Sequence, residues 1–190
     1  MGLIAFGLIK TTAPRAVVGT AAPEFSLQTL DGRTLTSADL KGAPVVVNFW
    51  ASWCVSCAAE AAELERAWKE YGPRGLRIVG VTYRDDTEAA RAFVKEEGVS
   101  YPSIRDPEEE LASAFGLQGV PETFFIDHDW KFAGIESAAT IGSRNGTVIK
   151  GPIPGAVLRR RVEALLDAHE AAGARAPAPA TGPQEPGPAG

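Results

Sequence analysis

Trp53-Cys54-Val55-Ser56-Cys57 is the stretch on which the reading of this chain turns, and it holds both of the chain's cysteines. An apolar run, Val45-Val46-Val47-Asn48-Phe49-Trp50, leads into it, and an Ala- and Glu-rich segment, Ala58 to Glu70, follows. The run is short, β-branched and bounded by Gly42 and Pro44, so it predicts a buried strand. The segment predicts a helix with Ala61, Leu64, Trp68 and Tyr71 on one face and Gly72-Pro73 as its stop. A C-x-x-C at that junction puts its first cysteine at a helix N-terminus, where backbone N–H groups and the macrodipole favour negative charge. A thiol placed there tends toward thiolate. Lowering a thiol pKa from about 8.5 to about 7 takes roughly 2 kcal/mol, within reach of a helix end plus local hydrogen bonds.

The totals narrow the class. At 190 residues the chain is long enough for one domain with a real core. A hydrophobic content of 45% and a charged content of 23% are ordinary for a soluble globular protein. A net charge of −5 argues against a nucleic-acid partner, and Arg159-Arg160-Arg161, the only basic run, is expected to be the solvated face of a helix. Two cysteines in a single C-x-x-C exclude a disulfide-framework miniprotein. The only histidines, His128 and His169, have no paired spacing, so neither a structural zinc site nor any other metal or cofactor is expected.

In chain order, Met1 to Lys10 is apolar but too short to cross a bilayer, which takes about 20 residues. Two readings stand: a frayed N-terminus, or the distal end of a membrane anchor. Residues 1–18 are thus an apolar segment and linker, with residues 19–170 as the domain. Phe25 to Gln28 and Arg33 to Leu35 predict a hairpin around Asp31-Gly32, followed by one helical turn at Ser37 to Leu40. Leu76 to Thr82 predicts a second core strand. A helix should follow from Thr87 to Glu97, capped by Asp85 or Asp86 and stopped by Gly98. Asp106, Pro107 and Glu109 mark the start of a further helix that leaves at Gly116. Thr123 to Ile126 is a third apolar strand, onto which Lys131 to Glu136 is expected to fold back. Ser137 to Gly151 is polar and Gly-rich and ends in strand-like Thr147-Val148-Ile149. The last helix runs from Pro154 to His169, and residues 171–190, rich in Ala, Pro and Gly, are expected to be disordered. Strands alternating with helices imply an α/β fold with a mostly parallel sheet covered on both faces.

Phe49-Trp50-Ala51-Ser52-Trp53-Cys54-Val55-Ser56-Cys57 resembles the active-site segment of thioredoxin-fold proteins. Gly119-Val120-Pro121-Glu122-Thr123-Phe124-Phe125-Ile126-Asp127 resembles the segment that carries their cis-proline. With Tyr83-Arg84-Asp85-Asp86 and Ala22-Pro23-Glu24-Phe25, the pattern is most similar to extracytoplasmic thiol–disulfide oxidoreductases of cytochrome c maturation, the TlpA, ResA and CcmG/DsbE group. The likeness spans about Gly19 to His169. It implies a thioredoxin fold with an N-terminal β-hairpin extension and a mixed central sheet flanked by helices. Thioredoxin itself carries a buried Asp where this chain has Asn48. Another acid must then serve as base, and Glu60 and Glu122 are the candidates, because the group uses acids in such places.

The resemblance implies Cys54 as attacking thiolate and Cys57, a turn inward and shielded, as resolving thiol. It also implies a cis bond at Pro121 that brings the Val120 backbone beside Cys54, with Trp53 against the substrate; Trp50 is either a cover or plain core. The expected partners are protein disulfides such as those of apocytochrome c, and a membrane thiol–disulfide electron donor. The protein is expected to be monomeric and to work on the periplasmic side of the inner membrane, with no cofactor. Three alternatives stand beside a reductase: a general thiol oxidant or isomerase, a thiol peroxidase, and a non-enzymatic module with a static disulfide or bound copper.

Overall fold

The computed structural model describes residues 16–134 and 147–173. The apolar segment at Met1 to Lys10, most of the polar Ser137–Gly151 stretch and the tail from Ala174 lie outside the described residues. Among the described residues, no helix is long and apolar enough to cross a membrane.

The centre is a five-stranded sheet in the order β5-β4-β3-β6-β7. It is made of β3 (Val45–Trp50), β4 (Arg77–Thr82), β5 (Ser103–Arg105), β6 (Glu122–Ile126) and β7 (Val148–Lys150). Strands β3, β4 and β5 run parallel, whereas β6 and β7 are each antiparallel to their neighbour. All six residues of β3 are buried, as a central strand covered on both faces requires. The hairpin of β1 (Ser26–Gln28) and β2 (Thr34–Thr36) stands outside this sheet and touches it through a bridge between Thr29 and Ile104.

Alternation along β3 sorts the core into two halves. Val45, Val47 and Phe49 pack with Val79, Val81, Phe124 and Phe115. Val46 packs on the other side with Leu64 and Tyr71 of α1 (Val55–Tyr71) and with Leu158, Val162 and Leu166 of α4 (Gly155–Ala171). The predicted face of α1 is therefore the buried one, and the helix ends at Gly72 as its sequence requires.

Helix α2 (Thr87–Glu96) is capped by Asp86, whose Oδ1 accepts the backbone N–H groups of Glu88 and Ala89. Asp86→Ala is expected to cost about 1 kcal/mol. The check is a lower urea midpoint at unchanged slope; an unmoved midpoint would mean that this cap contributes nothing.

Three expectations need correction, and one strand was not expected. The strand that pairs with Glu122 to Phe124 of β6 is β7, while on the returning segment Phe132 turns its own backbone groups to the Gly19–Ala22 stretch: Gly19 N–H donates to Phe132 O and Phe132 N–H to Thr20 O. The expected return forms at the end of β6, where Phe132 bridges Ile126, Asp127 N–H donates to Lys131 O and Ala133 N–H to Phe125 O, and Ile135 and Glu136 lie outside the described residues. Helix α3 (Glu110–Phe115) begins later than its sequence suggests, because Glu109 sits at φ 57 and closes a turn first. Asp106 still feeds the helix start from a distance, accepting from Leu111 and Ala112 N–H. Strand β5 had no signal of its own, having one apolar residue in three. Finally, Arg161 is not solvated: it is buried with its guanidinium 5.1 Å from the Phe125 ring centroid, where the stem covers apolar surface.

Candidate active site

Strand β3 ends at Trp50, and three residues of turn deliver Cys54 as the N-cap of α1. Cys54 and Cys57 are joined in a disulfide with Cα atoms 5.2 Å apart. The Cys57 N–H donates to Cys54 Sγ at 3.2 Å, and Ser56 Oγ lies 3.5 Å from the same sulfur. In this disulfide form the first sulfur thus already lies against donors of the helix start, as the helix-end argument requires. Exposure is lower than expected for a nucleophile: Cys54 is 6% and Cys57 2% accessible in this oxidised form. Of the two residues the first is the more accessible.

The turn before the cysteines is held from β4's C-terminal end. Asp85 accepts from both Ser52 N–H and Ser52 Oγ–H, each at 2.6 Å. Trp53 Nε1–H donates to Arg84 O at 3.0 Å, so its ring is fixed although 58% exposed. Val55, 88% exposed, extends the apolar surface at the mouth. Trp50 belongs instead to the core: it is buried and stacks on Phe93 with centroids 4.6 Å apart. Val120 packs against the cluster that contains both cysteines, and its bond to Pro121 is cis.

The two acids part company. Glu60, one turn beyond Cys57 on α1, is 2% exposed. Its Oε1 accepts from Asn48 Nδ2–H at 2.6 Å and its Oε2 from Ile153 N–H at 2.8 Å. Burial pushes its carboxyl up to about 7, with the Ile153 and Asn48 donors pulling the other way. Glu122 is also buried and raised by desolvation, but Lys150 Nζ, 3.8 Å away, opposes that shift. The β3–β6 register pairs Glu122 with Phe49 and Thr123 with Asn48. Because paired residues share a face, Thr123 lies on the α1 side of the sheet and Glu122 on the other.

Sequence reading had no means of finding the Ile153 N–H, since a backbone donor carries no residue signature. Asp85 stood within a quoted motif, but a second acid beside a cap gives no hint of its Ser52 partner. His128 and His169, unrelated by spacing, bring their rings to 5.4 Å. Among the described residues, no group of three or more His, Cys, Asp or Glu could hold a metal ion.

This site and fold define a thioredoxin-like dithiol protein: a paired C-x-x-C at a helix start, faced by a cis-proline segment. The pattern of the AhpC/TSA family matches residues 18–133, and the chain belongs to that family. The thiol:disulfide interchange protein DsbE of Pseudomonas fluorescens biotype C is 41% identical over 116 residues, 60% of this chain and 63% of that protein. The thiol-disulfide oxidoreductase ResA of Bacillus subtilis is 32% identical over 113 residues, with the same shares. The chain thus spans about 63% of the length of these curated relatives. Among solved structures, a thiol:disulfide interchange protein of the thioredoxin family from Chlorobium tepidum TLS superposes with a TM-score of 0.66 at 30% identity, covering 77% of this chain and 96% of its own.

Proposed function

We propose that this protein is a thiol:disulfide interchange enzyme that reduces protein disulfides outside the cytoplasm, in cytochrome c maturation. The observation that carries the reading is the Cys54–Cys57 disulfide at the N-cap of α1, with a backbone N–H aimed at the outer sulfur. In the reduced protein, the Cys54 thiolate attacks a substrate sulfur. The substrate S–S bond breaks, one substrate sulfur leaves with the electron pair, and a Cys54–substrate disulfide forms. Glu60 accepts the Cys57 proton. The Cys57 thiolate then attacks Cys54 Sγ, releasing the second substrate thiolate and closing the Cys54–Cys57 bond. The substrate gains two electrons and the protein loses two, to be restored by a membrane thiol donor.

The packing of Val120 on the cysteine cluster supports it as the residue that meets the substrate backbone, and the exposed Trp53 and Val55 supply apolar surface next to Cys54 in the chain. Glu60 is favoured over Glu122 as the base because it shares helix α1 with Cys57 and is carried on the same side of the sheet. The compartment, the apocytochrome substrates and the membrane donor rest on likeness to DsbE and ResA.

A peroxidase reading fits less well, because both thiols are engaged with each other three residues apart. The choice between reductase and oxidant lies in the potential. Equilibration with glutathione is expected to place the Cys54–Cys57 couple well below −120 mV, about the strong-oxidant end of the scale. A value near that end would exclude reductase duty.

A further inference from the structure

Asn48 is the one side-chain amide within β3, and it is buried along with every residue around it. A buried amide keeps such a place only if its donors are used. Both are: Nδ2 donates to Glu60 Oε1 at 2.6 Å and to Thr123 Oγ1 at 3.0 Å. These partners lie 12 and 75 positions away in sequence, so the amide ties α1 to β6 through β3. The other carboxylate oxygen of Glu60 takes Ile153 N–H at 2.8 Å, from the segment that enters α4. Each oxygen of the acid therefore has its own neutral donor.

We propose that Asn48 is a positioning residue for the resolving step: its amide, with its second hydrogen taken by Thr123, turns a donor toward Glu60 and thereby keeps that buried acid able to take the proton of Cys57. The proposal rests on Glu60 being the base, as argued above. The physical reason is directional. A donor to a carboxylate oxygen favours the ionised form, which is the form that can accept a proton. An amide turned the other way would present Oδ1 to the carboxylate and favour the protonated acid, which can accept nothing. Thr123 Oγ1 receives the second Nδ2 hydrogen, so the orientation that serves Glu60 leaves no amide hydrogen unpaired. Asn48 never touches a sulfur or a substrate; it acts through Glu60.

The test uses the whole reduced protein, wild type, Asn48→Leu and Thr123→Val, labelled with 13C at glutamate carboxyls. NMR reads the Glu60 titration midpoint directly, and rapid mixing with a model disulfide reads release of the second substrate thiol against pH. Hydrogen bonds to charged groups are strong enough to move a midpoint by about one to two pH units. In Asn48→Leu the Glu60 midpoint should rise by that much, and the acid limb of the resolving step should rise with it. At one unit below the wild-type midpoint, release should fall about ten- to hundred-fold, with the high-pH plateau retained. Thr123→Val, nearly isosteric and on a neighbouring strand, should move both readouts in the same direction by less, and it carries the test should Asn48→Leu not fold.

Midpoints that coincide with wild type in every folded variant would overturn the role of Asn48 while leaving Glu60 as base. Midpoints that move while the acid limb stays would remove Glu60 from the reaction, and the proposal with it.

Discussion

Cys57→Ala is expected to stop after one attack, accumulating a stable mixed disulfide on Cys54, whereas Cys54→Ala forms none. Turnover in an insulin-reduction assay should fall on the order of a thousand-fold or more in both, since the two sulfurs act as one unit. The contrast between the variants comes from position. Cys54 is the N-cap residue and the more accessible of the two, while Cys57 lies inside the first turn at 2% exposure. Thiolate chemistry alone does not account for a fast first step. A thiol moved from a pKa of about 8.5 to about 7 gains roughly 16-fold in thiolate at pH 7, but loses about 5-fold in intrinsic nucleophilicity. The net gain is about 3-fold. Most of the advantage must then come from holding a substrate disulfide in line, the duty that the proposed function gives to the Val120 backbone and the Trp53–Val55 surface. Mass spectrometry of trapped adducts checks the prediction. Adducts on Cys57 in the Cys54→Ala protein, at a rate like wild type, would reverse the assignment.

How far the sequence reached follows from which contacts are local. The β3 strand, the C-x-x-C turn and the buried face of α1 are each dictated by neighbours within a few residues, and each could be read directly. The Asp86 cap and the Gly116 exit are legible for the same reason: a cap is a bond across two or three positions. Pairings that depend on distant competition were not legible. Lys131 to Ala133 folds back as its turn invites, yet only at the end of β6, because β7 takes the Glu122–Phe124 stretch and the Gly19–Ala22 segment takes the backbone bonds of Phe132. Arg161 reads as one of three surface cations until α4 is laid across Phe125. At the site, Glu60 could be named as an acid one turn from Cys57, but its environment could not. Burial among β3, α1 and the α4 entry is what shifts it, and the Ile153 donor arrives from 93 positions away.

Glu60→Gln is expected to stabilise the oxidised protein at pH 8 by up to about 3 kcal/mol and to change little at pH 4. Burial raises the Glu60 carboxyl from 4.5 to about 7. Between those values the folded state keeps a proton that the unfolded chain has released, so the unfolded state binds fewer protons. Stability therefore falls as pH rises through that window and levels off above it. About 2.5 pH units at 1.36 kcal/mol each gives the stated ceiling. The net gain will be smaller, because a Gln side chain offers an acceptor to only one of its two donors unless the Asn48 amide turns over. Two other groups bend the same curve. Glu122 is raised by burial and adds a slope of the same sign. His169, lowered by burial and by His128 nearby, does the reverse: its stability contribution is present above its unfolded value and lost as pH falls through the folded one. Subtracting the Glu60→Gln curve from wild type cancels both and leaves Glu60 alone. Urea unfolding at closely spaced pH values, with the disulfide intact in both proteins, supplies the two curves. A difference that stays flat from pH 4.5 to 8 would mean that Glu60 titrates normally, and a base with an ordinary carboxylate pKa would be a poor match to a thiol proton.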